Sequence, residues 1–170
     1  MHTEKLDGEN NCLSRYGVFA RSHVAPTTSP WTSQLRQRWE LLKNDLGDCL
    51  DKWLSWDEVK FYAALFDLPT VPELCTECVD GLTVASLEQH VVCLAQEPSV
   101  FGSCDALTGL DCTREGVVTR NIGEYATADF AHNVFKYVRK GHVQTGEHWT
   151  RHWKRARLVW ELKQEKGGNR

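Results

Sequence analysis

The residues best suited to chemistry are the cysteines and histidines, seven of each. Cys75-Thr-Glu-Cys78 has the C-x-x-C spacing that can clamp a metal or cycle a disulfide. A zinc site needs two further donors. His148 and His152 are one helical turn apart and would share a face, which makes Cys75, Cys78, His148 and His152 the candidate ligand set. Cys93, Cys104 and Cys112 could also supply a donor, but none forms a second C-x-x-C. Sixty-nine residues separate Cys78 from His148, a gap unlike that of a compact finger. The plainer expectation is that Cys75 and Cys78 lie in the core on one face of a short helix, and that no cofactor is held. A redox motif would follow a strand, whereas Val71-Pro-Glu-Leu74 precedes this one.

Other chemistries fare worse. Asp105-Ala-Leu-Thr-Gly-Leu-Asp111 has the look of a calcium loop. However, position six is Leu110 rather than glycine and position twelve is Gly116 rather than glutamate, so it is not an EF-hand. The chain has no G-x-S-x-G, no G-x-G-x-x-G and no phosphate-cradling glycine loop. No enzyme is expected. An odd number of scattered cysteines suggests reduced thiols.

The C-terminal stretch carries a different chemistry. Residues 1–133 hold 20 acidic and 10 basic residues, net −10, whereas residues 134–170 hold 3 and 10, net +7. Trp149, Trp153 and Trp160 recur at helical spacing with Arg151, Lys154, Arg155 and Arg157 between them. Tryptophan anchors among arginines suit docking on a protein with an acidic surface. The same segment could bind RNA phosphates, lie on an anionic membrane, or pack on the chain's own acidic body. Protein docking is the leading expectation.

The positioning elements read as helical. Residues 1–28 form an extended polar arm, with Pro26-Thr-Thr-Ser-Pro30 as a linker. Residues 29–54 carry one apolar stripe through Trp31, Leu35, Trp39, Leu42, Leu46 and Trp53, which predicts an amphipathic helix. Ser55-Trp-Asp-Glu58 is a capping-box pattern that should open a helix at Trp56. A short helix over 71–78 and a longer one over 83–95 follow, with Asp80-Gly81 as the turn between them. Residues 97–112 read as a loop and residues 113–125 are ambiguous. Thr127 should cap a helix carrying Phe130, Val134, Phe135 and Val138, and a last basic helix should cover 147–166.

Trp56-Asp-Glu-Val59, Phe61, Leu65-Phe-Asp-Leu-Pro69, Val79-Asp-Gly81 and Leu87 resemble the first half of a sterile alpha motif (SAM) domain. Thr108-Gly-Leu110, Gly116, Val117, Val118 and Ile122 would take the later positions after an insertion around residues 96–104. The resemblance covers residues 54–125. It implies a five-helix fold used for protein association, often self-association and sometimes RNA binding, with no catalysis. A different small helical bundle with the same capping and turn chemistry is the alternative.

The expected architecture is therefore all-α. An arm (1–28), a Trp-rich helix (29–54), a SAM-like bundle (55–125) and basic C-terminal helices (126–170) make up a non-catalytic scaffold or accessory subunit. An RNA-binding protein and a small zinc-stabilised module are the alternatives. No apolar run is long enough to span a membrane. Residues 1–11 have neither the apolar run of a secretory signal nor the acid-free character of a presequence. A cytoplasmic protein is expected, with cytoskeletal, ciliary and mitochondrial settings left open.

Overall fold

A computed structural model describes residues 1–6, 9–20, 24–46, 52–104 and 112–140. It overturns the all-α expectation and, with it, the SAM resemblance. The described residues form a mixed α/β structure of eight strands in three sheets with four short helices.

The main sheet combines β1 (His2–Lys5), β5 (Glu73–Cys75), β6 (Gly116–Arg120) and β8 (Val134–Val138) in the order β5-β1-β6-β8. Every pairing is antiparallel. The segment expected as a polar arm thus supplies an interior strand. β1 carries no apolar alternation, yet His2, Thr3 and Glu4 are 1%, 0% and 4% exposed. Buried polar groups need partners, and each of these has one. His2 Nδ1 lies 2.9 Å from Thr119 Oγ1, the Thr3 hydroxyl donates to the Val118 carbonyl, and Glu4 accepts from the Val100 N–H.

β5 replaces the short helix expected over 71–78. β6 fills the ambiguous stretch with Val117, Val118 and Thr119, β-branched residues that suit a strand. The helix expected from Thr127 stops after α4 (Phe130–Asn133), and Val134-Phe-Lys-Tyr-Val138 continues as β8.

Two smaller pairs complete the strands. β2 (Asn11–Ser14) and β3 (Gly17–Ala20) form a hairpin around Arg15 and Tyr16, and β4 (Lys52–Trp53) pairs with β7 (Tyr125–Ala126). The Trp-rich helix is shorter than expected. A 3-10 turn over Pro30–Thr32 leads into α1 (Ser33–Leu42), and Lys52 and Trp53 lie in β4.

α2 (Trp56–Leu65) starts where the capping box requires. Ser55 Oγ accepts from the Glu58 N–H, and the Glu58 carboxylate accepts from the Ser55 N–H. It ends at Phe66 and Asp67, whose carbonyls Arg38 of α1 binds at 2.5 and 3.0 Å. α3 (Val84–Gln96) is capped by Thr83 and lies on the sheet. Val91 and Ala95 of α3 and Val117 of β6 form the buried core, with Leu74, Leu94 and Tyr137 packed around them. Beside it, Arg114 is buried and donates to the Leu94 carbonyl and to Glu97 at 2.6 and 2.8 Å.

Candidate metal centre

The register of β1 sets the site. His2 stands opposite Cys75 of β5 on one side and Thr119 of β6 on the other. Directly opposed residues of an antiparallel pair project to the same face. Glu77 follows Cys75 by two residues. α3 covers that face through Val91, Leu94 and Ala95, and His90 of the same helix reaches the same spot.

The ligand atoms of His2, Cys75, Glu77 and His90 all lie within 4.8 Å of one another. Cys75 Sγ is 3.7 Å from His90 Nε2. Glu77 spans the two imidazoles, with one oxygen 2.9 Å from His90 Nε2 and the other 3.6 Å from His2 Nε2. A tetrahedral zinc ion with ordinary bond lengths separates sulfur from nitrogen by about 3.6 Å, and nitrogen from oxygen by about 3.3 Å. The three contacts through His90 and Glu77 lie within about 0.4 Å of those edges, whereas the full set of donors spans up to 4.8 Å and must draw in to close around an ion.

Two imidazoles, a thiol and a carboxylate form a donor set suited to zinc or a neighbouring divalent transition metal. Burial holds the His2 imidazole below its usual pKa, which favours the neutral form that a metal needs. With Nε2 aimed at the cluster, Nδ1–H is left to donate to Thr119 Oγ1, which fixes ring orientation and tautomer. Burial, reinforced by the negative charge of Glu77, pushes the Cys75 thiol up. It is therefore a poor free nucleophile.

The geometry also separates a metal site from a Cys–His–carboxylate catalytic triad. In a triad the carboxylate holds the imidazole nitrogen remote from the nucleophile. Here the thiol and Glu77 both approach Nε2 of His90. They converge on one point, as ligands around an ion do.

Of the ligands expected from sequence, Cys75 belongs to the cluster. Cys78 does not: it is exposed, and its thiol donates to Asp80 Oδ2 at 3.2 Å. Cys75 closes β5, whereas Cys78 lies past the end of that strand, so the C-x-x-C spacing does not hold the two thiols together. His148 and His152 lie outside the described residues, as do Trp149, Arg151, Trp153, Lys154, Arg155, Arg157 and Trp160. His2, Glu77 and His90 were not legible as ligands. The only local hint is Glu77, two residues beyond Cys75.

No helix among the described residues is long and apolar enough to cross a membrane. No family model, curated protein or solved structure matches the chain.

Proposed function

We propose that this chain is a metal-binding protein in which His2, Cys75, Glu77 and His90 hold one zinc or similar divalent ion as a structural clamp. The observation that carries this reading is the convergence of four suitable donors, from β1, the β5 segment and α3, within 4.8 Å. Four protein ligands fill a tetrahedral shell and leave no position for a reactive water, the pattern of structural rather than catalytic zinc. The ion would tie α3 to the sheet beside a small core. Metal-loaded, the domain is a non-catalytic scaffold.

Cobalt substitution tests the site. The protein should take up one equivalent of Co(II) and show tetrahedral d–d bands with a thiolate-to-cobalt charge-transfer band. Cys75→Ser should abolish the charge-transfer band and Cys78→Ser should leave it intact. Absence of stoichiometric metal, or loss of the band only with the Cys78 variant, would refute the assignment.

A second role draws on the charge split. The basic, Trp-bearing segment over 147–166 is proposed to dock on an acidic protein surface, with Trp149, Trp153 and Arg155 as anchors. Replacing Trp153 and Arg155 together by alanine should abolish capture of the partner in a pull-down and leave the circular dichroism unchanged. Undiminished capture would remove this role. An RNA partner would instead give retention that collapses steeply with salt.

A further inference from the structure

We infer that the outer edge of β8 is a docking strand for a partner protein, which adds to it an extended segment of alternating acidic and apolar residues. The site shares no residue with the metal cluster or with the segment over 147–166.

β8 stands last in the sheet order, and no strand among the described residues pairs with its outer side. The register shows which of its groups face outward. The Asn121 N–H donates to the Asn133 carbonyl, and the Arg139 N–H to that of Glu115. Both pairs continue the β6–β8 register, in which Phe135 stands opposite Thr119 and Tyr137 opposite Val117. Bonded and non-bonded positions alternate along an antiparallel ladder, so Phe135 and Tyr137 bond to β6. Lys136 and Val138 then turn their N–H and C=O groups away from it. The Val134 carbonyl does the same, while its N–H is taken by the Phe130 carbonyl. Such a row of outward donors and acceptors is a template for another strand.

The side chains select the occupant. Lys136 and Lys140 are exposed and form no ion pair among the described residues, and Arg139 adds a third cation between Val138 and Lys140. Phe135 projects to the face opposite Lys136 and is 57% exposed. Tyr137 shares the Phe135 face and packs on the core. A second copy of this chain fits poorly, since it would bring the same three cations together along the edge. An acidic strand is complementary to them. Alternation completes the match. With acids on the Lys136 face, every other residue falls on the Phe135 face, where an apolar side chain covers the exposed ring.

The test titrates fluorescein-labelled Glu-Val-Glu-Val-Glu-Val-Glu, and the same peptide with lysine in place of glutamate, into the full chain by fluorescence anisotropy. The acidic peptide should bind and the basic one should not. Lys136→Glu, at an exposed position, should weaken the acidic peptide by about tenfold, because a cross-strand attraction becomes a repulsion. Val138→Pro should weaken it by about fivefold or more. It removes an outward N–H that β6 does not use, and proline is tolerated on that side of an edge strand. Amide hydrogen exchange gives an independent reading on the unaltered protein. The Lys136 and Val138 amides should exchange fast when free and slowly on binding, whereas those of Phe135 and Tyr137 should be protected throughout. The Trp153→Ala, Arg155→Ala double variant should bind the acidic peptide normally. No binding of the acidic peptide, equal binding of the two peptides, full affinity in Lys136→Glu, or no protection of Lys136 and Val138 would each overturn the inference. So would their protection in the free protein, which would mean that the edge is already covered. Loss of binding in the double variant would also overturn it, by placing the peptide on the basic segment.

Discussion

Removing metal with a chelator is expected to lower the thermal midpoint of the protein by about 5–10 °C relative to the zinc-loaded form. A ligand present at a hundred times its dissociation constant, and bound only by the folded state, stabilises by about 2.7 kcal/mol. For a chain of this size each kcal/mol corresponds to about 2–4 °C. The effect follows from where the four ligands sit. His2 belongs to an interior strand, Cys75 and Glu77 to the strand beside it and its continuation, and His90 to the helix above. No such set exists in an unfolded chain, so binding energy becomes folding energy. Cys75→Ser should erase the zinc dependence of the midpoint and Cys78→Ser should preserve it. Differential scanning fluorimetry with zinc and with EDTA reads this directly. Identical midpoints in the two conditions for the unaltered protein would show that the cluster holds no structural ion.

The second large effect lies in the sheet. Gly116→Ala should destabilise the fold by about 3 kcal/mol or more, near the upper range for overpacking. Gly116 pairs with Lys5 of β1 on one side and Val138 of β8 on the other. A Cβ built on Gly116 overlaps the carbonyl group of Tyr137 and comes within 3.1 Å of Val138 Cα. These are backbone atoms that no rotamer change can move, so β6 and β8 must part. Gly123→Ala is the matched control. Its Cβ would meet only the Asn121 side chain at 3.6 Å, so a change of at most about 0.5 kcal/mol is expected. Denaturant midpoints of the two variants should separate clearly. A Gly116→Ala protein as stable as its Gly123→Ala counterpart would contradict the sheet pairing described here.

The contrast between α2 and β1 shows why part of this fold was legible and part was not. Ser55 and Glu58 advertise a helix start through local chemistry, and the reciprocal bonds form as that chemistry dictates. The spaced apolar residues of α3 similarly predict a helix over 83–95, and Val84–Gln96 is helical. β1 offers nothing local. His2, Thr3, Glu4 and Lys5 are polar in succession, and their burial is made tolerable by partners far along the chain: Thr119, Val118, Val100 and Glu115. With no hydrophobic alternation to read, the segment passed for a solvated arm, and an all-α architecture followed from that omission.

Residues 134–138 failed differently. Phe130, Val134, Phe135 and Val138 satisfy helical spacing, but Val-Phe-Lys-Tyr-Val is equally a strand sequence. The partner strand β6 decides between the two periods. The SAM resemblance rested on a capping box, a turn and spaced leucines. These features specify helix starts and turns without specifying which elements pack together. The metal cluster was legible only at Cys75, because C-x-x-C draws attention to Cys78, which lies exposed beyond the end of β5. His2 and His90 become ligands only through strand register and helix docking.

The placement of β1 also bears on how the chain reaches its native state. Thr119 stands 117 residues beyond His2, its hydrogen-bonding partner, and Cys75 lies between them in the chain. A strand flanked on both sides by such late-arriving neighbours cannot acquire its ladder early. Long loops must close before any of its contacts reward the chain. Refolding should therefore be limited by insertion of this strand, with helices α2 and α3 forming well ahead of it. The four-donor pocket, which depends on that insertion, would be among the last features to assemble.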